Sequence, residues 1–214
     1  MNRTVIDFAK YDRIFAFGCS FTMYAWVTWA DILNNKYKNV KNLGHVGAGN
    51  FYIFNHIIEE NLKENFITND LIMICWSSVL REDRFVDGEW LTPGNLWTQQ
   101  TYPKEFVKKY CDPYGMLKRD LTYITAAMGY LDNLSCDHIH FSMADIDLED
   151  QYRSVKIKSD VLDLHSSTIE RLYPSMYDVI WANDIGRICE ERDDTHPLTY
   201  EHRKYLKEVF GYED

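Results

Sequence analysis

Three times within the first 77 residues a short apolar run gives way to a stretch whose apolar side chains recur at helical spacing, and this alternation restricts the fold more than any other feature of the chain. Residues 12–18 (DRIFAFG) read as a buried strand, and 20–37 (SFTMYAWVTWADILNNKY) as the helix that follows it. Residues 39–44 (NVKNLG) read as a second strand. Residues 48–65 then place Phe51, Phe54, Ile57, Ile58 and Leu62 in one helical stripe. Asp70 to Ser77 (DLIMICWS) is apolar almost throughout, the mark of a strand covered on both faces. Alternation of this kind builds a largely parallel sheet with helices on both sides. The expected architecture is therefore α/β, a three-layer α/β/α sandwich around a short parallel sheet, flavodoxin-like in plan.

Residues 81–114 break the rhythm with Pro93, Pro103, Pro113 and several glycines, and read as an excursion from the carboxyl edge of the third strand. Its Trp90, Trp97, Tyr102, Phe106 and Tyr110 must either pack in a small core of their own or line a groove. Helical periodicity returns over 115–134, and 136–144 (CDHIHFSMA) supplies a fourth strand. Between 145 and 192, VKIKSDVLDL reads as an irregular insertion and MYDVIW as strand-like. Pro197 is expected in the first turn of a last helix, which Gly211 closes.

With 214 residues, no repeat and no low-complexity linker, residues 1–214 are expected to form a single domain carrying that aromatic excursion. A formal charge of -10, with no basic run among the aromatics, argues against a general nucleic-acid or anionic-membrane surface. The five cysteines (Cys19, Cys75, Cys111, Cys136, Cys189) are scattered, odd in number and without a CxxC pair, which suits free thiols in a reducing compartment. The N-terminus lacks a signal-peptide core and no run reaches the roughly 18 apolar residues of a membrane span, so the cytoplasm is the expected location.

The first strand ends on Gly18, Cys19 and Ser20, at the edge of an α/β sheet where functional side chains gather. Ser20 is either a nucleophile or a helix cap. A serine nucleophile needs a base, and the base a carboxylate that fixes its tautomer. RDDTHP offers Asp193 and His196, three apart in a polar turn. Asp194 competes for the carboxylate role but points elsewhere if the turn is helical; the plainer alternative is that one of the two acids caps the last helix.

In chain order, FGCSFT, NLGHVGAGN, a polar break after the third strand and DDTHP resemble the blocks of the SGNH/GDSL hydrolase superfamily across nearly the whole chain. The resemblance implies Ser20 as nucleophile with its N–H donating to the oxyanion, Gly47 as a second backbone donor (Asn42 and Gly44 keeping the Asn-x-Gly-x-x-Gly spacing), and Asp193 and His196 as acid and base. Two positions depart from the pattern. Cys19 stands where the family has aspartate, so the nucleophile loop must be held differently; Cys19 as a thiol nucleophile is the lesser alternative. In the third block, ICWSSVLREDR puts Ser78 where an asparagine amide would complete the oxyanion hole, with Ser77, a buried water or Arg81 as substitutes. Loss of one such donor costs roughly 3 kcal/mol of transition-state stabilisation.

Other residues carry less. His138 and His140, two apart on a strand, are expected not to share a face, and no third ligand completes a zinc spacing. His45 borders the proposed oxyanion glycine, and His202 is expected at the cleft or as a stabiliser of the last helix. No metal or cofactor is implied. The function expected is a serine esterase removing small acyl groups, acetyl above all, from a small-molecule or glycan ester. The alternatives are an O-acyltransferase using the same serine, or a non-catalytic binding or structural protein on this fold.

Overall fold

The structure, a computed structural model, describes residues 5–97, 101–146, 159–182 and 184–213. In chain order its elements are β1 (Arg13–Gly18), α1 (Trp29–Lys36), β2 (Val40–Gly44), α2 (Asn50–Glu64), β3 (Asp70–Trp76), β4 (Arg84–Val86), β5 (Glu89–Leu91), α3 (Lys104–Tyr110), α4 (Pro113–Asp132), β6 (Asp137–Ser142), α5 (Ser159–Leu164), α6 (Ser166–Ile169), α7 (Met176–Trp181), α8 (Ile185–Glu191) and α9 (Thr199–Phe210).

The main sheet runs β2-β1-β3-β6, and every pairing in it is parallel. All seven residues of β3 are buried, as a continuous apolar strand covered on both faces requires. α2 packs on α4 at one face, while α1 and α7 pack on α9 at the other. The result is the α/β/α sandwich. The chain turns to opposite sides of β1 after its first two crossovers, so the carboxyl ends of β1 and β3 flank the crevice where ligands bind in open sheets.

Three expectations about elements change. The first helix begins at Trp29, not at residue 20, because Asp31 Oδ2 accepts from the backbone N–H of Thr28 (2.9 Å) and fixes the helix start there. MYDVIW is a helix, begun by Ser175, whose Oγ accepts from Asp178 N (3.0 Å). His138 and His140 do share a face, since strand residues two apart always do: His138 Nδ1 and His140 Nε2 are 2.9 Å apart. VKIKSDVLDL falls partly outside the described residues; its last six residues form α5.

The excursion at 81–114 contains the β4–β5 hairpin and α3. Its aromatics divide. Tyr102 and Phe106 pack around Leu96, Cys111 and Met116 in a small separate core, while Trp90 lies against Phe51, Tyr52 and Phe85 and joins the main one. Trp97 remains 43% exposed and Tyr110 64%. No helix among the described residues is long and apolar enough to cross a membrane.

Candidate active site

β1 ends where space is too small for any side chain. A Cβ on Gly18 would collide with Thr22 Oγ1 and lie 2.9 Å from Cys75 O, so glycine lets the chain turn sharply off the sheet. The turn is closed by Thr22 N and Met23 N, which both donate to Cys19 O. Cys19 points into the core, fully buried, its sulfur 3.8 Å from Met143 Sδ. Ser20 is thereby presented at the sheet edge.

Without the aspartate of the first block, the loop is held through Thr22 O. That carbonyl accepts from Asn42 Nδ2 (2.8 Å) and Thr28 Oγ1 (2.5 Å). Asn42 Oδ1 also accepts from Gly44 N, which ties the loop to the end of β2. Gly47, two residues past His45, has φ +79°, and a Cβ there would run into Thr92 O of the excursion. The loop carrying it is anchored beside the nucleophile turn, because His45 N donates to Gly18 O.

His196 comes from the turn before α9. Its Nε2 lies 2.8 Å from Ser20 Oγ, and its Nδ1 lies 2.7 Å from Asp194 Oδ1. Asp194, not Asp193, is therefore the carboxylate on the imidazole. The turn is not helical, so residues two apart rather than three meet, and Asp193 is left exposed. Asp194 Oδ1 also accepts from His196 N, at 2.9 Å. With the Nδ1 proton donated to Asp194, Nε2 is free to accept the Ser20 hydroxyl proton.

Tyr24 completes the arrangement. Its ring stacks on His196 at 3.8 Å with 17° between planes, and its hydroxyl donates to Asp194 Oδ2 (2.6 Å). Trp26 holds the same loop by donating to Pro197 O. Burial alone would raise Asp194, but the hydrogen bonds from Tyr24 and His196 outweigh it and keep the carboxyl below its usual 3.8. The Tyr24 phenol is pushed up to about 12, chiefly by its bond to Asp194. Burial lowers His196 from 6.5; Asp194 opposes that, and the Arg81 charge adds to the lowering. A neutral imidazole beside an ionised carboxylate follows, the state in which a histidine acts as a base.

Ser78 is half-buried and its Oγ accepts from Leu80 N at 3.3 Å, the geometry of a cap on the strand-loop junction. Ser77 is fixed by Asn50, which accepts from its N–H and donates to its carbonyl, while its hydroxyl faces Met143 Sδ. His45 packs its ring on Tyr52. His202 lies on the buried face of α9 and is shifted to about 4 by that burial, a core residue and not a cleft one. Among the described residues no cluster of three or more His, Cys, Asp or Glu is placed to hold a metal. A cavity of about 490 Å³ lined by Asp145, Leu162, Tyr173 and Asp178 includes none of Ser20, His196 or Asp194. The convergence of polar groups at Ser20 marks the candidate site instead.

Tyr24 is the residue that the sequence pattern hides, because Phe21, Tyr24 and Thr28 fall at helical spacing. The signal that reveals it is Thr28-x-x-Asp31, a capping pattern that starts the helix only after Tyr24 and Trp26.

No protein-family model and no curated protein matches the chain. Among solved structures it is similar to the psychrotrophic esterase EstA from Pseudoalteromonas sp. inhibited by monoethylphosphonate, with 11% identity, 92% of this chain and 96% of that chain covered, and a TM-score of 0.51. It is also similar to a member of the lipolytic protein G-D-S-L family from Veillonella parvula DSM 2008, with 14% identity, 91% and 96% coverage and a TM-score of 0.46. The fold is that of the SGNH/GDSL hydrolases.

Proposed function

We propose that the protein is a serine esterase that hydrolyses small acyl esters. The observation that carries this reading is the unbroken chain from Asp194 through His196 to Ser20, with contacts of 2.7 and 2.8 Å. In the acylation step His196 Nε2 takes the Ser20 hydroxyl proton as Oγ bonds to the ester carbonyl carbon. The carbonyl π pair moves to oxygen and forms an oxyanion facing the N–H groups of Ser20 and Gly47. Collapse re-forms the carbonyl and breaks the bond to the alcohol, which leaves with the proton from Nε2. Water then repeats the sequence on the acyl-serine, giving the free acid and restoring Ser20. Throughout, Asp194 stays ionised and stabilises the imidazolium.

The acyl group we assign is acetyl, and the alcohol a carbohydrate. Trp97, exposed on the excursion, supports a sugar acceptor, since an indole face can hold the apolar side of a pyranose. The five free thiols, four of them buried, suit the reducing cytoplasm.

Incubation with a fluorophosphonate followed by mass spectrometry tests the esterase reading: labelling at Ser20 is expected, and an unlabelled wild-type protein that turns over no aryl acetate overturns it. For the carbohydrate, Trp97→Ala should raise KM for an acetylated oligosaccharide several-fold while leaving turnover of 4-nitrophenyl acetate intact. Equal loss on both substrates together with a lower Tm would make Trp97 a packing residue and remove the carbohydrate assignment.

A further inference from the structure

Arg81 lies five residues beyond the end of β3 and is only 9% exposed. Nη1 donates to Ala48 O at 2.8 Å, on the loop that carries Gly47. Nη2 faces Met143 Sδ at 3.8 Å, a weak acceptor, and Nε is buried with no partner among the described residues. Nε and Nη2 form one edge of the guanidinium, the fork with which arginine grips an anion. Elsewhere in this molecule that edge is filled: Arg13 sets Nε on Asp70 Oδ1 (2.8 Å) and Nη2 on Asp70 Oδ2 (2.5 Å).

Among the described residues Arg81 makes no ion pair. Asp83, whose carboxylate feels the Arg81 charge, has its two oxygens committed to Gly49 N and Tyr52 N at the start of α2. A buried cation without a counter-ion is costly unless an anion arrives to meet it. The surroundings say where. The sulfur that Nη2 faces is also approached by Cys19 Sγ, next in chain to Ser20, and by Ser77 Oγ. The guanidinium therefore sits between the nucleophile turn and the Gly47 loop, and its charge is felt at His196.

The third-block amide is absent from this chain, and Ser78, whose Oγ accepts from Leu80 N at 3.3 Å, offers a single hydroxyl proton in its place. We propose that Arg81 takes the place of that amide, its Nε/Nη2 edge donating to the oxyanion formed when Ser20 attacks the ester. This inference rests on the esterase reading. Met143, unbranched and flexible, fills the edge while no substrate oxygen is there and yields when one forms. A charged donor suits the task, because the negative charge it answers exists only in the transition state and intermediate.

Steady-state kinetics on neutral 4-nitrophenyl acetate test this with Arg81→Gln and Arg81→Lys, each checked by thermal melting. Arg81→Gln should lower kcat roughly 100- to 1,000-fold with KM within about 3-fold, and Arg81→Lys, which keeps the charge but loses the fork, should fall between. A kcat within about 3-fold of wild type in Arg81→Gln overturns the proposal. So does a rise in KM alone, or a loss confined to esters whose acyl chain bears a carboxylate, which would make Arg81 a ground-state anchor for substrate charge. If Arg81→Gln does not fold, a folded Arg81→Lys with wild-type kcat is equally decisive against it. Fluorophosphonate labelling of wild-type Ser20 separates the two ideas: labelled and active protein with an indifferent Arg81 sinks only this inference, and unlabelled, inactive protein sinks both.

Discussion

Two hydrogen-bonded chains in this molecule run from a carboxylate through histidine, and only one of them ends on a group that can react. At the sheet edge, Ser20 donates to His196 Nε2 and His196 Nδ1 donates to Asp194. Inside the sheet, Trp76 Nε1 donates to His140 Nδ1 at 3.1 Å. His140 Nε2 then donates to His138 Nδ1 (2.9 Å), and His138 Nε2 to Asp132 Oδ1 (3.1 Å), so two neutral rings satisfy every nitrogen in one direction. Arg171 completes the second chain with two bonds to Asp132. Burial lowers the pKa of both rings, His140 well below 6.5, which keeps them neutral. The terminal group decides chemistry. An indole N–H is a donor with no role as a nucleophile, whereas the Ser20 hydroxyl, once its proton passes to His196, can attack an ester carbonyl.

Removing the terminal groups breaks the comparison most sharply. Ser20→Ala and His196→Ala should each lower kcat on an aryl acetate by roughly 10,000-fold or more while leaving the melting curve nearly unchanged. His140→Phe should do the opposite, leaving kcat within about 3-fold and costing roughly 1–3 kcal/mol of stability, because the Trp76 N–H is left buried without an acceptor. Kinetics and thermal melts on the same preparations check both. If His140→Phe stays folded and loses activity as Ser20→Ala does, the internal chain is part of the site.

The next largest effect separates neighbours. Asp194→Asn should cost roughly 1,000-fold or more in kcat, since an amide no longer holds His196 in the tautomer that leaves Nε2 free. Asp193→Asn should leave kcat unchanged, because Asp193 is exposed and the imidazole is already paired with Asp194. Reversal of these two outcomes would mean that the turn rearranges when substrate binds.

That choice between adjacent acids also measures what the sequence can convey. Apolar runs are read reliably where both faces of a strand are buried, so β1, β3 and β6 fall close to their expected positions, and Ser20 and His196 follow from the ends of the elements around them. The acid depends on the backbone conformation of a turn of a few residues, which no periodicity encodes. The Ser20–Thr28 loop fails for another reason: Phe21, Tyr24 and Thr28 imitate a helix face, although Met23 and Val27 are left partly exposed and Tyr24 faces His196. MYDVIW has too few residues to distinguish a strand from a buried helical turn, and its Met176, Tyr177, Ile180 and Trp181 are buried at helical spacing. An expectation that His138 and His140 lie on opposite faces hides the second histidine chain, because a strand repeats its side-chain direction every two residues.

A smaller effect is expected at Tyr24, whose place as second donor to the carboxylate is taken in the internal chain by Arg171. Tyr24→Phe keeps the ring on His196 and removes only the hydroxyl from Asp194. The expected loss in kcat is roughly 5- to 10-fold, the cost of one charge-assisted hydrogen bond acting through another residue, with KM unchanged. Because the tyrosine no longer shares the carboxylate, Asp194 should favour the imidazolium more, and the acid limb of kcat/KM should move to higher pH. An unmoved limb with a lowered Tm would reduce Tyr24 to packing.

The smallest effects are those of pH, and they distinguish the two chains without removing either. In the site, burial places the His196 titration below 6.5, so kcat/KM should rise with pH through an acid limb centred below that value. In the internal chain the consequence is for stability. His138 and His140 hold their folded pKa values below 6.5, and the unfolded chain, with ordinary histidines near 6.5, binds protons first as pH falls. Their contribution is fully present above 6.5 and declines as pH drops below it, because the unfolded state then carries more protons than the folded one. His56 and His202, also lowered by burial and the latter to about 4, act in the same direction. Asp120, pushed up to about 7 by burial, acts in the opposite direction in both proteins, so the comparison is one of slopes: between pH 8 and pH 5 the loss of Tm should be smaller for His140→Phe than for wild type, because the variant starts lower but has lost one acid-sensitive ring. Ser20→Ala, whose titrating groups are intact, should keep the wild-type slope. A His140→Phe slope equal to wild type would place the acid sensitivity on the lowered histidines outside the internal chain, His56, His196 and His202, and leave that chain as packing without linkage.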